Sequence, residues 1–240
     1  MIFELIADIV KLLLIVVCLY LALRTYVRHA QPTWSAPAKK RRLAILLILV
    51  LAVSAIKVSE DVLGGESGPV DTAILLFVHN HAPGNLTGFF EVITLTGSST
   101  VLFPLTTAVV IGLLLARRRF DAVLLTASVV GGAAVVYVIK TLVGRTRPAL
   151  WEAEWYWGSS FPSGHTLVVA AFATAAALSV NRAWPAARRF TLLAAFSWIS
   201  LVALSRLVLG AHWPTDVLAA ACIGAILPLA MSVALEVHRA

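Results

Sequence analysis

Charge is what this 240-residue sequence has least of: Asp, Glu, Lys and Arg together make up only 13% of it, about half the share of an ordinary soluble domain. That scarcity, beside 60% apolar residues, excludes a disordered chain. A mean hydropathy of +0.92 leaves more apolar surface than a water-soluble globule of this length can hide. Cysteine is equally scarce. Cys18 and Cys222 both lie inside apolar runs, which excludes a disulfide framework and a thiolate metal site. No repeat of solenoid or propeller period is visible, and the length suits one domain. What is left is an integral membrane protein.

Apolar runs of about 17–25 residues, long enough to cross a bilayer, occur at 5–23, 43–59, 98–116, 122–140, 164–181, 190–209 and 215–236. Glu4, Asp8 and Lys11 interrupt the first run. It can span, lie in the interface or act as an uncleaved signal anchor, and no small-residue cleavage site follows it. The expected fold class is all-α, a polytopic membrane helix bundle with a six-helix core and an extra N-terminal transmembrane helix. Residues 1–27 are then the membrane segment, 28–42 a basic cytoplasmic linker and 43–237 the core. Between 60 and 97 the apolar stretch Thr72–Val78 is too short to cross, and a helix on the outer surface is predicted there.

A net charge of +7 raises nucleic acid as a partner until the cations are located. Arg24, Arg28, Lys39, Lys40, Arg41 and Arg42 follow the first run, Arg117 to Arg119 the third, and Arg182, Arg188 and Arg189 the fifth. With Arg239, thirteen of the 19 Lys and Arg residues fall on alternate loops, which the positive-inside rule assigns to the cytoplasm. Glu60, Asp61, Glu66, Asp71, Glu91, Glu152 and Glu154 sit on the opposite loops. The basic balance is an orientation signal, and nucleic acid is excluded as a partner. Trp34, Trp151, Trp155, Trp157, Trp184 and Trp213 fall at segment ends, where indole rings favour the headgroup region. Ala127, Ser128, Gly131, Gly132, Ala133 and Ala134 let helices approach closely.

Few charges remain on the outer side. Arg206 lies within the apolar run Leu201–Leu209, where a cation costs a few kcal/mol even on the lenient insertion scale; it marks a functional site or snorkels to the interface. Lys140 ends the fourth run, His165 begins the fifth, Arg206 ends the sixth and Asp216 begins the seventh. This topology gathers cations, imidazoles and a carboxylate at the outer ends of four helices. Cations held together in a partly desolvated place repel one another unless an anion joins them, and three of them suit the oxygens of a phosphate.

In Phe161-Pro162-Ser163-Gly164-His165-Thr166, Ser163 stands where a helix should start, able to cap it or to leave its backbone donors for a phosphate. Gly164 lets the backbone come close to such a ligand. His212 and Asp216 lie four residues apart, with Pro214 suited to a first helical turn. An Asp that orients an imidazole fixes which ring nitrogen is free. A neutral, oriented imidazole can attack phosphorus while a second, protonated one donates to the leaving oxygen.

Lys140 to Pro148 (K-x6-R-P), Pro162 to His165 (P-S-G-H) and Ser205 to Asp216 (S-R-x5-H-x3-D) resemble the three signature motifs of the type 2 phosphatidic acid phosphatase (PAP2) family, in the family's order and with every fixed position filled. The resemblance covers residues 43–237 and leaves the first segment as an addition. It implies that His212 is the nucleophile of a phosphohistidine intermediate, that Asp216 orients it, and that His165 is the general acid that later activates water. Lys140, Arg147 and Arg206 would hold the phosphoryl oxygens with Ser163 and the backbone of Gly164. No metal and no cofactor would be needed. The substrate would be a lipid phosphate or diphosphate, of the undecaprenyl diphosphate, phosphatidylglycerol phosphate or phosphatidic acid type, met at the outer face of a bacterial plasma membrane.

Phosphoryl transfer between lipids is the rival inside that family, and a non-catalytic transporter of anionic lipids the rival outside it. His165, His212 and Asp216 separate them, because binding alone has no use for an acid and an oriented nucleophile. Arg145 lies between Lys140 and Arg147 but is not a fixed motif position, so it is placed outside the site. Glu152, Glu154, Trp151, Trp155, Tyr156 and Trp157 suit an interfacial belt better than a lid. His79 and His81 lack the further ligands a metal would need. Oligomeric state stays open.

Overall fold

The computed structural model describes residues 2–30, 34–150 and 158–237. Its helices in chain order are α1 (Ile2–Ala30), α2 (Ser35–Lys40), α3 (Arg42–Leu63), α4 (Gly68–His81), α5 (Thr87–Thr96), α6 (Ser99–Leu115), α7 (Arg119–Val143), α8 (Gly164–Ala183), α9 (Arg188–Val208) and α10 (Pro214–Val237). No strand occurs among the described residues. Helices α3, α7, α8, α9 with the short turn before it, and α10 are long and apolar enough to cross a membrane. A sixth span is broken: Gly84–Thr96 and Ser99–Leu115 meet at an angle of 46°. The protein is an all-α polytopic membrane bundle.

The centre of the bundle is α8. Half of its 20 residues are buried, among them Thr166, Leu167, Val169, Ala170, Ala171 and Phe172, because α6, α7, α9 and α10 all pack against it. Small residues permit that crowding. A Cβ on Gly224 of α10 would run into the Leu167 carbonyl oxygen and come within 2.8 Å of Ala170 Cβ, and one on Gly132 of α7 would lie 3.1 Å from Leu167 Cδ2. In lipid, where apolar transfer gives helices no reason to meet, this close van der Waals contact is what holds them. On α7 the buried positions Asp121, Ala122, Leu124, Leu125, Ser128 and Gly132 recur with helical period and form one inward stripe. Ala133 and Ala134 face outward.

At the end of the bundle away from Lys140, Arg118 Nε donates to Asp121 Oδ2 at 2.8 Å and Arg182 Nε to Asp121 Oδ1 at 2.9 Å. The carboxylate thereby ties the starts of α7 and the end of α8 together. The N-terminal segment is one continuous helix that packs on α3.

Two regions differ from the sequence expectation. Residues 60–97 hold two helices, α4 and α5, rather than one short surface helix, and α4 buries Asp71 and Leu75. Helix α5 escaped a search for long apolar runs because it is only 10 residues long and continues into α6 through a break at Gly97. A Cβ on Gly97 would lie 3.0 Å from Val202 and 3.2 Å from Val169, so the break is seated against α8 and α9. The basic stretch 28–42 is not a plain linker either, since Ser35–Lys40 is helical.

Candidate active site

The local chemistry of two chain reversals, between α7 and α8 and between α9 and α10, brings the candidate residues to one end of the bundle. Helix α7 carries Lys140 in its last turn and ends at Gly144, whose φ of +62° is left-handed, a conformation a glycine adopts without penalty. Past that turn, Arg145 N donates to Ser159 Oγ at 2.9 Å and Ser160 N to Arg145 O at 2.8 Å. The chain from Arg145 to Arg147 is thus laced to the segment leading into α8, and Lys140 Nζ donates to the carbonyl of Ser159.

Helix α9 ends in a Schellman motif. Ala211 N bonds to Arg206 O at 3.0 Å and Gly210 N to Leu207 O at 3.0 Å, around Gly210 at φ +64°. These bonds satisfy carbonyls that the helix end would otherwise leave open, and they set His212 next to Arg206. Helix α10 then starts at Pro214, and Asp216 Oδ2 accepts from Trp213 N at 2.9 Å. That is the reach of an acidic N3 side chain back to the cap residue.

His212 is therefore flanked on both sides. Its Nδ1 lies 3.4 Å from Asp216 Oδ2, and its Nε2 lies 3.4 Å from Arg147 Nη1. Arg147 Nη1 also donates to Ala211 O at 2.8 Å. With the carboxylate on the Nδ1 side, the nitrogen left for chemistry is Nε2, beside a cation. Burial pushes the imidazole down to about 4; Asp216 pulls the other way, and Arg206 and Arg147 add to the fall. A buried, uncharged, oriented imidazole is a competent nucleophile at neutral pH.

The remaining motif residues surround it. Arg206 is 1% exposed and donates from Nη1 to Thr94 Oγ1 on α5 at 2.6 Å, so it does not snorkel to the interface. Lys140 lies within electrostatic reach of Arg147, Arg206 and Asp216, and His165, in the first turn of α8, within reach of Arg206, His212, Lys140 and Arg147. Ser163 stands at the N-cap of α8, but its hydroxyl pairs with Thr166 Oγ1 at 3.0 Å instead of capping the backbone. Its own N–H donates to Asp216 O at 3.2 Å, which ties the start of α8 to the start of α10. The amides of Gly164 and His165 open a 20-residue helix, a place that favours an anion.

Arg145 is the correction. The motif spacing placed it outside the site, yet its Nη1 donates to Asp216 Oδ1 at 2.6 Å and its Nη2 to Asp71 Oδ2 at 2.6 Å. The motif pattern could not show this, because both partners are distant in sequence and Asp71 belongs to no motif. Thr94 and Ser159 were missed for the same reason. The residues Trp151, Glu152, Glu154, Trp155, Tyr156 and Trp157 lie outside the described residues. His81 stacks on Phe77 at 4.1 Å with Nδ1 2.9 Å from Phe77 O. Among the described residues no group of three His, Cys, Asp or Glu could hold a metal ion.

Residues 121–238 match the family model described as the PAP2 superfamily. Phosphatidylglycerophosphatase B of Escherichia coli (strain K12) is 41% identical over 73 residues, which make up 30% of this chain and 27% of that protein. The protein of the same name from Shigella flexneri matches to the same extent. The alignment thus spans about a quarter of the length of these curated relatives. Among solved structures, a transmembrane PAP2 type phosphatidylglycerolphosphate phosphatase from Bacillus subtilis superposes with a TM-score of 0.69 at 24% identity, over 80% of this chain and 96% of that one. Aquifex aeolicus LpxE superposes with a TM-score of 0.56 at 25% identity, over 67% and 93%. The first of these likenesses speaks for the fold.

Proposed function

Because the chain belongs to the PAP2 superfamily, we propose that it is a membrane phosphatase that removes a phosphate group from a lipid phosphate or diphosphate at the outer membrane face. The single observation that carries this reading is the His212 ring, with Asp216 at Nδ1 and Arg147 at Nε2. A site that only bound an anionic headgroup would use the cations and have no need of the oriented imidazole.

In this mechanism Lys140, Arg147 and Arg206 hold the non-bridging oxygens of the phosphoryl group, with Ser163 and the backbone of Gly164 at the helix start. These donors meet the charge that develops at phosphorus without reorganising, the largest single contribution in most such sites. His212 Nε2 attacks phosphorus. The N–P bond forms as the P–O bond to the lipid breaks, and His165, as imidazolium, gives its proton to the leaving oxygen. Water then attacks the phosphohistidine, His165 takes a proton from it, the N–P bond breaks, and inorganic phosphate leaves.

The name of the relative in Escherichia coli favours phosphatidylglycerol phosphate as the lipid. The alternation of basic and acidic loops supports the outer-face placement, with residues 43–237 as the phosphatase core and 1–27 as an added membrane segment.

Phosphate release by the purified protein in detergent tests the reading, across phosphatidylglycerol phosphate, phosphatidic acid and undecaprenyl diphosphate. The expected result is turnover of at least one, with phosphatidylglycerol phosphate fastest, and none in a folded His212→Ala variant. Unimpaired turnover in that variant overturns the mechanism. Phosphate that leaves one lipid only to appear on another would make the protein a transferase.

A further inference from the structure

Behind the nucleophile's carboxylate lies a second, fully buried carboxylate that none of the three motifs contains. Asp71 and Asp216 are both 0% exposed, and the guanidinium of Arg145 bridges them. Nη1 serves Asp216 Oδ1 and Thr215 Oγ1, at 2.6 and 2.9 Å. Nη2 serves Asp71 Oδ2 and Ser67 Oγ, at 2.6 and 3.0 Å. Thr215 closes the ring, its N–H donating to Asp71 Oδ1 at 3.0 Å and its hydroxyl to Asp71 Oδ2 at 2.7 Å.

Two consequences follow from this wiring. The first is geometric. Asp216 Oδ1 is taken by Arg145 and Oδ2 is held by Trp213 N, so the carboxylate cannot rotate and its Oδ2 stays aimed at His212. The second is electrostatic. A lone Arg145–Asp216 pair would be neutral and would offer little to an imidazole that gains positive charge. With Asp71 added, two carboxylates share one guanidinium, and the buried group keeps a net charge of −1 behind the ring. In a medium where charges are poorly screened, that excess persists over several ångströms.

We propose that Arg145 and Asp71 are positioning residues for the phosphatase reaction, acting through Asp216 to orient His212 and to sustain negative charge behind it as the N–P bond forms. This rests on the proposed role of His212. It also gives the outer helix α4, which lies outside the family-matched region, a part in the chemistry.

The test compares Asp71→Asn and Arg145→Gln in the full-length protein, with folding checked by size exclusion and melting temperature. Turnover should fall by ~10–100-fold in kcat with KM within about twofold, the scale of loss typical one contact behind a functional histidine. The His212 titration, followed by NMR of labelled histidine, separates charge from scaffolding. The groups facing this ring are Asp216 from α10, Arg206 from α9, Arg147 from the loop after α7 and His165 from α8. Removing the Asp71 charge should lower its midpoint, and removing the Arg145 charge should raise it. A merely structural role would not move the two in opposite directions.

Arg145→Lys, which retains the charge, should recover part of the lost kcat relative to Arg145→Gln. If the Asp71 or Arg145→Gln variants fail to fold, Ser67→Ala and Arg145→Lys take their place, with a reduced kcat at unchanged KM expected. Wild-type kcat and an unshifted His212 midpoint in the folded variants overturn the proposal, even while His212→Ala stays inactive. An active His212→Ala would instead overturn the reading on which it rests.

Discussion

Arg206 Nη1 donates a 2.6 Å hydrogen bond to Thr94 Oγ1, so a buried cation at the end of α9 is held by a hydroxyl 112 residues earlier, on α5. The bend between α5 and α6 is what makes this contact possible. An unbroken helix with its start at Ser99 would leave Arg206 without this partner.

Two variants check the contact. Arg206→Lys replaces a rigid, multiply donating fork with a single point charge and should lower kcat/KM by ~10²-fold, the scale of one lost donor to a developing oxyanion. Thr94→Val keeps the cation but removes its orienting partner, a bond to a charged group worth about 1.5–3 kcal/mol, and should cost ~10-fold. Both are read from phosphate release at varied lipid concentration.

The buried His212 ring sets a pH prediction. Its folded value of about 4 lies below the ordinary 6.5, so the unfolded chain takes up the proton first as pH falls. The contribution of this histidine to stability is therefore complete above pH 6.5 and is lost progressively as pH falls from there to about 4, below which both states carry the proton and it is lost no further. Melting curves in detergent should show wild type losing more stability than His212→Asn between pH 6.5 and 4, and equal pH slopes in the two proteins would contradict this.

At the other end of the bundle, Asp121 is 5% exposed and holds both Arg118 and Arg182. Asp121→Ala leaves two guanidiniums facing each other, and breaking a buried pair in this way costs about 3–5 kcal/mol. The guanidiniums are 26% and 24% exposed, which places the loss toward the lower end. The expected outcome is a lower melting temperature with kcat of the remaining folded protein unchanged, since no site residue is touched.

The contact between α8 and α10 is tested by Gly224→Ala. The added Cβ would meet the Leu167 backbone, which cannot step aside as a flexible side chain would. Overpacking of this kind costs about 1–3 kcal/mol, and because α8 carries His165 at its start, the variant should lose activity along with melting temperature.

How much could be read in advance depends on how far apart the cooperating residues are in the chain. The membrane class, the long helices and the grouping of Lys140, His165, Arg206, His212 and Asp216 at one end were legible, because apolar run length and alternation along a bundle are local properties of sequence. The pairing of His212 with Asp216 was legible too, since one helical turn separates them. Asp71, Thr94 and the break at Gly97 were not legible. Each acts through a contact with a residue far along the chain, and a lone Asp or Thr outside a motif carries no mark of its partner.

The scarcity of charge and the long apolar runs by themselves determined that this chain lives in a bilayer, and the basic loops determined the orientation to expect, because water and lipid sort residues one at a time. Only the tertiary structure decided what Arg145 does. Whether a guanidinium binds a substrate phosphate or is consumed by two buried carboxylates depends on which helix ends meet around it. Here the ends of α4, α7 and α10 converge, and the short bonds to Asp71 and Asp216 turn a residue that spacing had set aside into the link between α4 and the carboxylate beside His212.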